Sequence, residues 1–372
     1  MFRFLKNSIS FLIFNILSFL KRKRTKVSYL NNVLLINTGK IGDLIVSSIF
    51  LENDDLFQEK KIFFLFEKKY KELFFGYNGN IRLIYYNTKN YKWNIFYRLK
   101  ILKILRSYGF SFAFNISPAR GFIGDEISLL SGAEKIYATC DNLKYLGKYY
   151  GKILDSKYTG IKYKEIKNEY IKLNKLVKEI SGLIDSQIKF FNSKSLLINL
   201  NVPLPDSVER NKYILISPLV TDMKRSWGVE NYKILTQKLS ESFKVLLIGS
   251  IAEKNVLQYI SGNLKNVFII TPTLQFTPSV IKSCRLFIGN HSGLSHIALK
   301  LQKPLIAIVD GGFFNYYFPI YEDRPENIFI YNILDCFECD WNCKYHEPLC
   351  LKNINVENVL KNVNILLNIN NS

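Results

Sequence analysis

The run Gly289-Asn290-His291-Ser292-Gly293 follows apolar Leu286–Ile288 and precedes Leu294–Ala298, which reads as a strand ending in a small-residue turn that opens a helix. Backbone N–H groups of such a turn, the positive end of the helix dipole and the Ser292 hydroxyl converge on one phosphate-sized volume. The chemistry indicated is the binding of a phosphate-bearing ligand. A second turn, Thr38-Gly39-Lys40-Ile41-Gly42-Asp43, follows apolar Val33–Asn37 and carries a carboxylate. The residues leave two roles for Asp43, a general base or the N-cap of a helix from Leu44. Arg225 beside Lys224 offers a bidentate fork for phosphate oxygens, or a solvated loop charge. Glu253, four residues after Gly249, can accept from hydroxyls or sit on a plain helix surface. His291 lies in the first turn, where imidazole can supply a cation to phosphate below about pH 6.5, and His296, one helical turn on, reads either as a cleft contact or as a packed histidine.

A different chemistry is written in Cys336-x2-Cys339-x3-Cys343-x6-Cys350, with His346 as a spare ligand and Cys140 and Cys284 standing alone. Four thiolates at this spacing can close around one zinc or iron, leaving no open position, so the metal would be structural. Reduced thiols packing a loop are the alternative. No catalytic cofactor is expected.

These residues need elements to hold them, and 372 residues suit two domains. Apolar runs at Val33–Asn37, Lys61–Phe66, Ile81–Tyr86 and Phe110–Ile116 read as buried strands, with a helix over Tyr91–Tyr108. A second series follows at Tyr213–Ser217, Lys244–Gly249, Val267–Ile270, Leu286–Gly289 and Leu305–Val309. Such alternation predicts parallel, doubly wound sheets. Leu196–Asn211, with Pro203 and Pro205, breaks the rhythm and is the expected linker between domains at 27–200 and 206–353. An amphipathic helix is expected over 354–369.

The first 26 residues place Phe2, Leu5, Ile9, Leu12, Ile13, Ile16, Leu17 and Leu20 at helical spacing, followed by Lys21-Arg22-Lys23-Arg24. The apolar core from Ile9 to Leu20 is short of the roughly 20 residues that a bilayer requires, and no small-residue cleavage site follows it. A helix lying on the anionic inner leaflet is the expectation, against packing on the protein itself or a true anchor. The net charge of +20 predicts attraction to anions. No basic block with interleaved aromatics reads as a nucleic-acid module.

Together these motifs resemble family 9 glycosyltransferases, the ADP-heptose:lipopolysaccharide heptosyltransferases. The resemblance rests on Gly39 to Asp43, on Arg225-Ser226-Trp227-Gly228-Val229-Glu230, on Gly289 to Ala298 followed by Pro304, on Leu129 to Ala133 and on the cysteine cluster, in the family's order. It implies a GT-B fold, two Rossmann-like domains facing a cleft, and a C-terminal helix returning toward the first domain. It further implies an inverting transfer from a nucleotide-sugar donor to an anionic glycolipid acceptor at the cytoplasmic face of the bacterial inner membrane. Asp43 would be the base beside Gly39, Lys40 and Gly42, and Arg225 would stabilise the leaving diphosphate. Lys224, Ser217, Gly249, Glu253, Asn290, His291, Ser292, Gly293 and His296 would hold the donor. His291 stands where the family commonly has Asp, and Gly228 where it commonly has Pro. Transfer to a protein or capsule glycan, and a non-catalytic nucleotide-sugar-binding protein, are the alternatives.

Overall fold

The computed structural model describes residues 11–18, 31–141, 143–182, 188–189, 191–199, 201–320 and 324–367. The chain divides into two compact units, one of Met1–Lys71 with Asn78–Lys189, the other of Glu72–Tyr77 with Phe190–Ser372.

In the first unit, β1 (Asn32–Ile36), β2 (Lys61–Glu67), β3 (Arg82–Tyr86), β4 (Phe112–Asn115), β5 (Lys135–Ala138) and β6 (Gly160–Ile161) form a parallel sheet in the order 3-2-1-4-5-6. The central strands are apolar on both faces because helices cover both, as in any all-parallel sheet. α1 (residues 11–18), α2 (Ile41–Ser47), α3 (Ile49–Glu52), α4 (Thr88–Trp93), α5 (Ile95–Ser107), α6 (Phe122–Leu130), α7 (Leu143–Asp155) and α8 (Glu169–Ser181) complete it. The helix expected over Tyr91–Tyr108 is broken at Asn94, whose side chain caps α5 by accepting from the Tyr97 N–H at 3.0 Å. Beneath the sheet, Arg120 is fully buried between Asp125 and Asp155, each 2.8 Å away, and Tyr158 donates to Asp125 at 2.7 Å.

α1 corrects the expectation of a helix lying wholly on a lipid surface. Phe14 and Leu17 are buried in the first unit's core, and Phe11 packs on Tyr150 with ring centroids 5.2 Å apart. Apolar residues at helical spacing serve a protein core as readily as a bilayer, and here the core takes one face. The basic run 21–24 lies outside the described residues. No helix among the described residues is long and apolar enough to cross a membrane.

In the second unit, β7 (Tyr213–Ser217), β8 (Lys244–Ile248), β9 (Val267–Ile270), β10 (Leu286–Asn290), β11 (Leu305–Ile308) and β12 (Asn327–Ile330) are ordered 12-11-10-7-8-9, all parallel. Counted from its own first strand this is again 3-2-1-4-5-6 read from the other edge. The helices are α9 (Val229–Ser240), α10 (Lys254–Ser261), α11 (Thr277–Lys282), α12 (Gly293–Lys300), α13 (Leu349–Lys352) and α14 (Val356–Leu367).

Two expectations about this unit are corrected. The stretch read as a linker is laid onto the second unit, where the Asn199 N–H donates to Ser279 Oγ at 2.9 Å and the Asn211 N–H donates to the Ser283 carbonyl at 2.7 Å. α14, expected to return toward the first domain, is built into the second. Val356, Val359, Val363 and Leu367 join the core that holds Trp227, Tyr232 and Leu235. Each such buried side chain contributes about 1.5–3 kcal/mol, and periodicity alone does not say against which core.

Candidate active site

In an open parallel sheet of this order, the crevice lies at the carboxyl ends of the two strands where the winding reverses. That point falls between β1 and β4 in the first unit and between β7 and β10 in the second. The turns singled out in the sequence follow β1, β7 and β10.

After β1 the backbone is wired by Asn37, whose side chain is fully buried. It accepts from the Gly39 N–H at 2.8 Å and donates to Ser47 Oγ at 2.6 Å and to the Asp43 carbonyl at 3.2 Å. Lys40 is the N-cap of α2, and Asp43 sits three residues into it, not at the cap. Its carboxylate turns back to accept from the Lys40 N–H at 2.7 Å. The carboxylate lies so close over Gly39 that a Cβ there would meet Oδ2 at 2.3 Å. Gly42 occupies the exposed first turn of the same helix. Asp43 is thus held in one position and half-exposed, as a group that takes a proton from a bound hydroxyl must be.

In the second unit, Ser217 ends β7 in register with Gly289 of β10, and a Cβ on Gly289 would meet the Ser217 carbonyl at 3.0 Å. Close approach of the two strands at the reversal therefore requires glycine. Asn290 is buried and engaged at both ends of its amide, accepting from the Trp227 N–H at 2.9 Å and donating to the Pro218 carbonyl at 2.8 Å. Its side chain joins the loop after β7 to the end of β10, which corrects the reading of Asn290 as a donor contact through that group. Ser292 is the N-cap of α12 yet makes no side-chain cap bond, and its Oγ is buried without a hydrogen-bond partner. The first-turn N–H groups that begin at Gly293 have no acceptor within the helix.

Arg225 closes over this turn. Its Nη2 donates to the His291 carbonyl at 2.9 Å, and the guanidinium stacks over Trp341 at 5.1 Å. Lys224 beside it borders an open groove of about 430 Å³ with Trp341, Asn342, Cys343 and His346.

The carboxylate that the sequence reading lacked at position 291 is supplied from β11. Asp310 is buried, with Oδ2 3.3 Å from His291 Nδ1 and 3.6 Å from Arg225 Nε. Its Oδ1 accepts from the Trp341 indole at 3.0 Å and from the Gly312 N–H at 3.0 Å. Burial by itself would raise this carboxyl. The hydrogen bond and charge of His291, with Arg225 behind it, outweigh burial and hold it at about 2. An acidic residue directly after the apolar run Leu305–Val309, followed by two glycines, is the sequence signal for Asp310.

His296 does not reach a ligand surface. It is buried against Phe318 and Tyr317, with centroids at 4.5 and 5.3 Å. Desolvation, then the neighbouring His291 and Arg225, lower its basicity well below the ordinary histidine range, so it is a neutral packing residue. The Glu253 carboxylate closes the short helical turn Ile251–Glu253 that precedes α10, accepting from the Ser250 N–H at 2.6 Å and the Ser250 hydroxyl at 2.7 Å beside Gly249.

The four-cysteine metal site is not formed. Among the described residues no three Cys, His, Asp or Glu side chains come together as a metal site. Cys350 is buried and its Sγ accepts from the Gly311 N–H at 3.4 Å. Burial, then neighbouring thiols, push Cys336 and Cys343 up. The residues as arranged do not fit a metal, and no step of the chemistry is assigned to one.

No curated protein matches this sequence. Residues 185–310 match the family model of glycosyltransferase family 9 (heptosyltransferase). Similar solved structures include E. coli heptosyltransferase WaaC with ADP-2-deoxy-2-fluoro heptose, at 12% identity over 89% of this chain and 98% of that one, with a TM-score of 0.64. E. coli ADP-heptose lps heptosyltransferase II is 17% identical over 92% and 100% of the two chains, TM-score 0.63. A family 9 glycosyl transferase from Veillonella parvula DSM 2008 is 15% identical over 91% and 97%, TM-score 0.66. The matched segment runs from before β7 to Asp310, about a third of the chain, and the two parallel six-stranded sheets around it are similar to those of the GT-B heptosyltransferase structures.

Proposed function

We propose that this enzyme transfers a heptose or closely related sugar, with inversion, from an ADP-sugar to an anionic lipopolysaccharide-type core at the cytoplasmic face of the inner membrane. The observation that carries this reading is the turn after β10. There a buried Ser292 hydroxyl that makes no cap bond, the open first turn of α12 and Arg225, placed beside Asp310, present donors and positive charge. Such a surface suits the diphosphate of the donor. The solved structures of similar fold that hold or are named for ADP-heptose support that donor class.

In the proposed step an acceptor hydroxyl forms a bond to the anomeric carbon as the bond from that carbon to the diphosphate oxygen breaks. The hydroxyl proton passes to the Asp43 carboxylate, and the electron pair leaves with the diphosphate. Arg225, Ser292 and the N–H groups from Gly293 onward stabilise the charge that develops on the leaving oxygen. Lys224 adds a second, mobile cation. Ser217, Gly249 and Glu253 line the neighbouring strand ends, where a carboxylate can accept from ribose hydroxyls.

The test is a donor screen read by mass spectrometry, with truncated lipooligosaccharide acceptors and ADP-, UDP- and GDP-sugars. Transfer from ADP-heptose, lost in Asp43→Asn while ADP binding persists, is the expected result. No thermal shift with any nucleotide sugar, or undiminished transfer by Asp43→Asn, would overturn the mechanism.

A further inference from the structure

The corner between α4 and α5 carries an apolar surface that neither unit's core uses. Trp93 is 84% exposed and Phe96 79% exposed, values unusual for the two largest apolar side-chain types. Along α5, Arg98, Ile101, Leu102 and Leu105 are buried. At 100° per residue, Phe96, Leu99, Lys100 and Lys103 fall in a stripe of about 100° on the opposite side of the helix. All four are exposed.

The corner is held firmly. Arg98 donates to the Lys92 carbonyl at 3.1 Å and pairs with buried Glu126 at 3.4 Å, which ties the residue before Trp93 to the body of the unit. The exposed aromatics therefore stand on fixed backbone.

Charge identifies the occupant. Between Glu72 and Asp125 the sequence contains no acidic residue and eight basic ones. Of these, Lys92, Lys100 and Lys103 are exposed and flank Trp93 and Phe96. Lysine is depleted from the centres of protein–protein interfaces. Exposed Trp and Phe flanked by Lys, with Glu126 buried on Arg98 and no acidic residue in the surrounding stretch of sequence, is the composition of a surface that seats its rings at the headgroup level of an anionic bilayer. The geometry points to this α4–α5 ridge as the membrane-docking face of the enzyme, with anionic phospholipid as its partner. It deepens the reading above by naming the surface that meets the acceptor's bilayer, and it does not depend on which sugar is transferred.

The experiment uses the full chain with phosphatidylcholine vesicles, with and without phosphatidylglycerol, read by co-sedimentation and tryptophan emission. Trp227 is buried and Trp341 partly so, which leaves Trp93 as the reporter. Vesicles containing phosphatidylglycerol should shift the emission to the blue, and phosphatidylcholine alone should not. Lys92→Glu/Lys100→Glu/Lys103→Glu and Trp93→Ser/Phe96→Ser should each lower partitioning by about tenfold or more. Leu12→Ser/Ile16→Ser, on the exposed side of α1, should lower it by less than about threefold. Transfer to a soluble, delipidated acceptor should be unchanged in all three, so that failure of docking is distinguishable from failure of the catalytic reading. Unshifted emission, equal binding to uncharged vesicles, or loss of binding only in the α1 variant would overturn the proposal. Self-association abolished by Trp93→Ser without vesicle binding would overturn it in favour of a protein partner.

Discussion

The turn after β1 and the turn after β8 use the same device. In each, a glycine ends the strand region, the next residue caps a helix, and a carboxylate three residues further folds back onto the cap's N–H, at 2.7 Å for Asp43 and 2.6 Å for Glu253. They differ in how tightly the loop is drawn. The short Asp43 side chain lies 2.3 Å from where a Gly39 Cβ would be, and the longer Glu253 stands 3.1 Å from the same point on Gly249. Asn37 adds three hydrogen bonds beneath the first turn. Under the second, the Gly249 N–H donates an ordinary strand-end bond to the Ile270 carbonyl at 3.3 Å. A capping carboxylate satisfies a helix end in either case; the first is the more tightly drawn, as the base proposed above requires.

The contrast breaks first, if it breaks, in kinetics. Asp43→Asn should lower kcat by about 10²–10⁴-fold while the melting temperature moves little, because an amide oxygen can still accept from Lys40. The matching change Glu253→Gln should leave kcat within about threefold and raise KM for the donor. Equal losses in the two variants would mean that the turns do the same job.

Stability offers the next comparison. Gly39→Ala should destabilise the protein by about 1–3 kcal/mol in urea titrations, since the added methyl must displace a short, packed carboxylate. Gly249→Ala should cost less than about 1 kcal/mol, because the Glu253 chain can bend away.

A third carboxylate sharpens the contrast through pH. Asp310 titrates at about 2 in the folded protein, below its ordinary 3.8. Its ionised form therefore stabilises the fold fully above about pH 4, and that contribution, about 2 kcal/mol, is lost as pH falls through 2. Asp310→Asn should flatten the acid limb of the stability curve, read as urea midpoints between about pH 2 and 5. The variant should also weaken donor binding by releasing Arg225. The smallest effect is expected at His296. Because it is already neutral, the donor KM should show no His296-dependent step between about pH 5 and 8, and His296→Gln should not alter that profile.

Strands such as β1, β7 and β8 were legible because both their faces are buried and their sequences are near-continuous Val, Leu and Ile. β5, β6 and β12 were not, being short and partly exposed, so that no apolar run sets them apart from loops. The turns holding Asp43 and Ser292 could be placed because strand-turn-helix order puts them at strand ends, whereas Arg225, eight residues past β7, stands out only through the resemblance. Asp310 has a local signal, its place after an apolar run and before two glycines, but that signal does not name its partners. Its role comes from His291, Arg225 and Trp341, which reach it from three separate stretches of chain. The same limit applies to α14, where spacing revealed an apolar face and only packing revealed its partner.

The seating of α14 also bears on the order in which the protein is made. The Trp227 indole N–H donates to the Ile354 carbonyl at 2.7 Å, and Val356, Val359, Val363 and Leu367 fill the core beneath α9. The first unit can collapse while the ribosome is still synthesising the second. The turn after β10, by contrast, rests on a core that α14 helps to fill, so that core closes only after translation has passed Leu367.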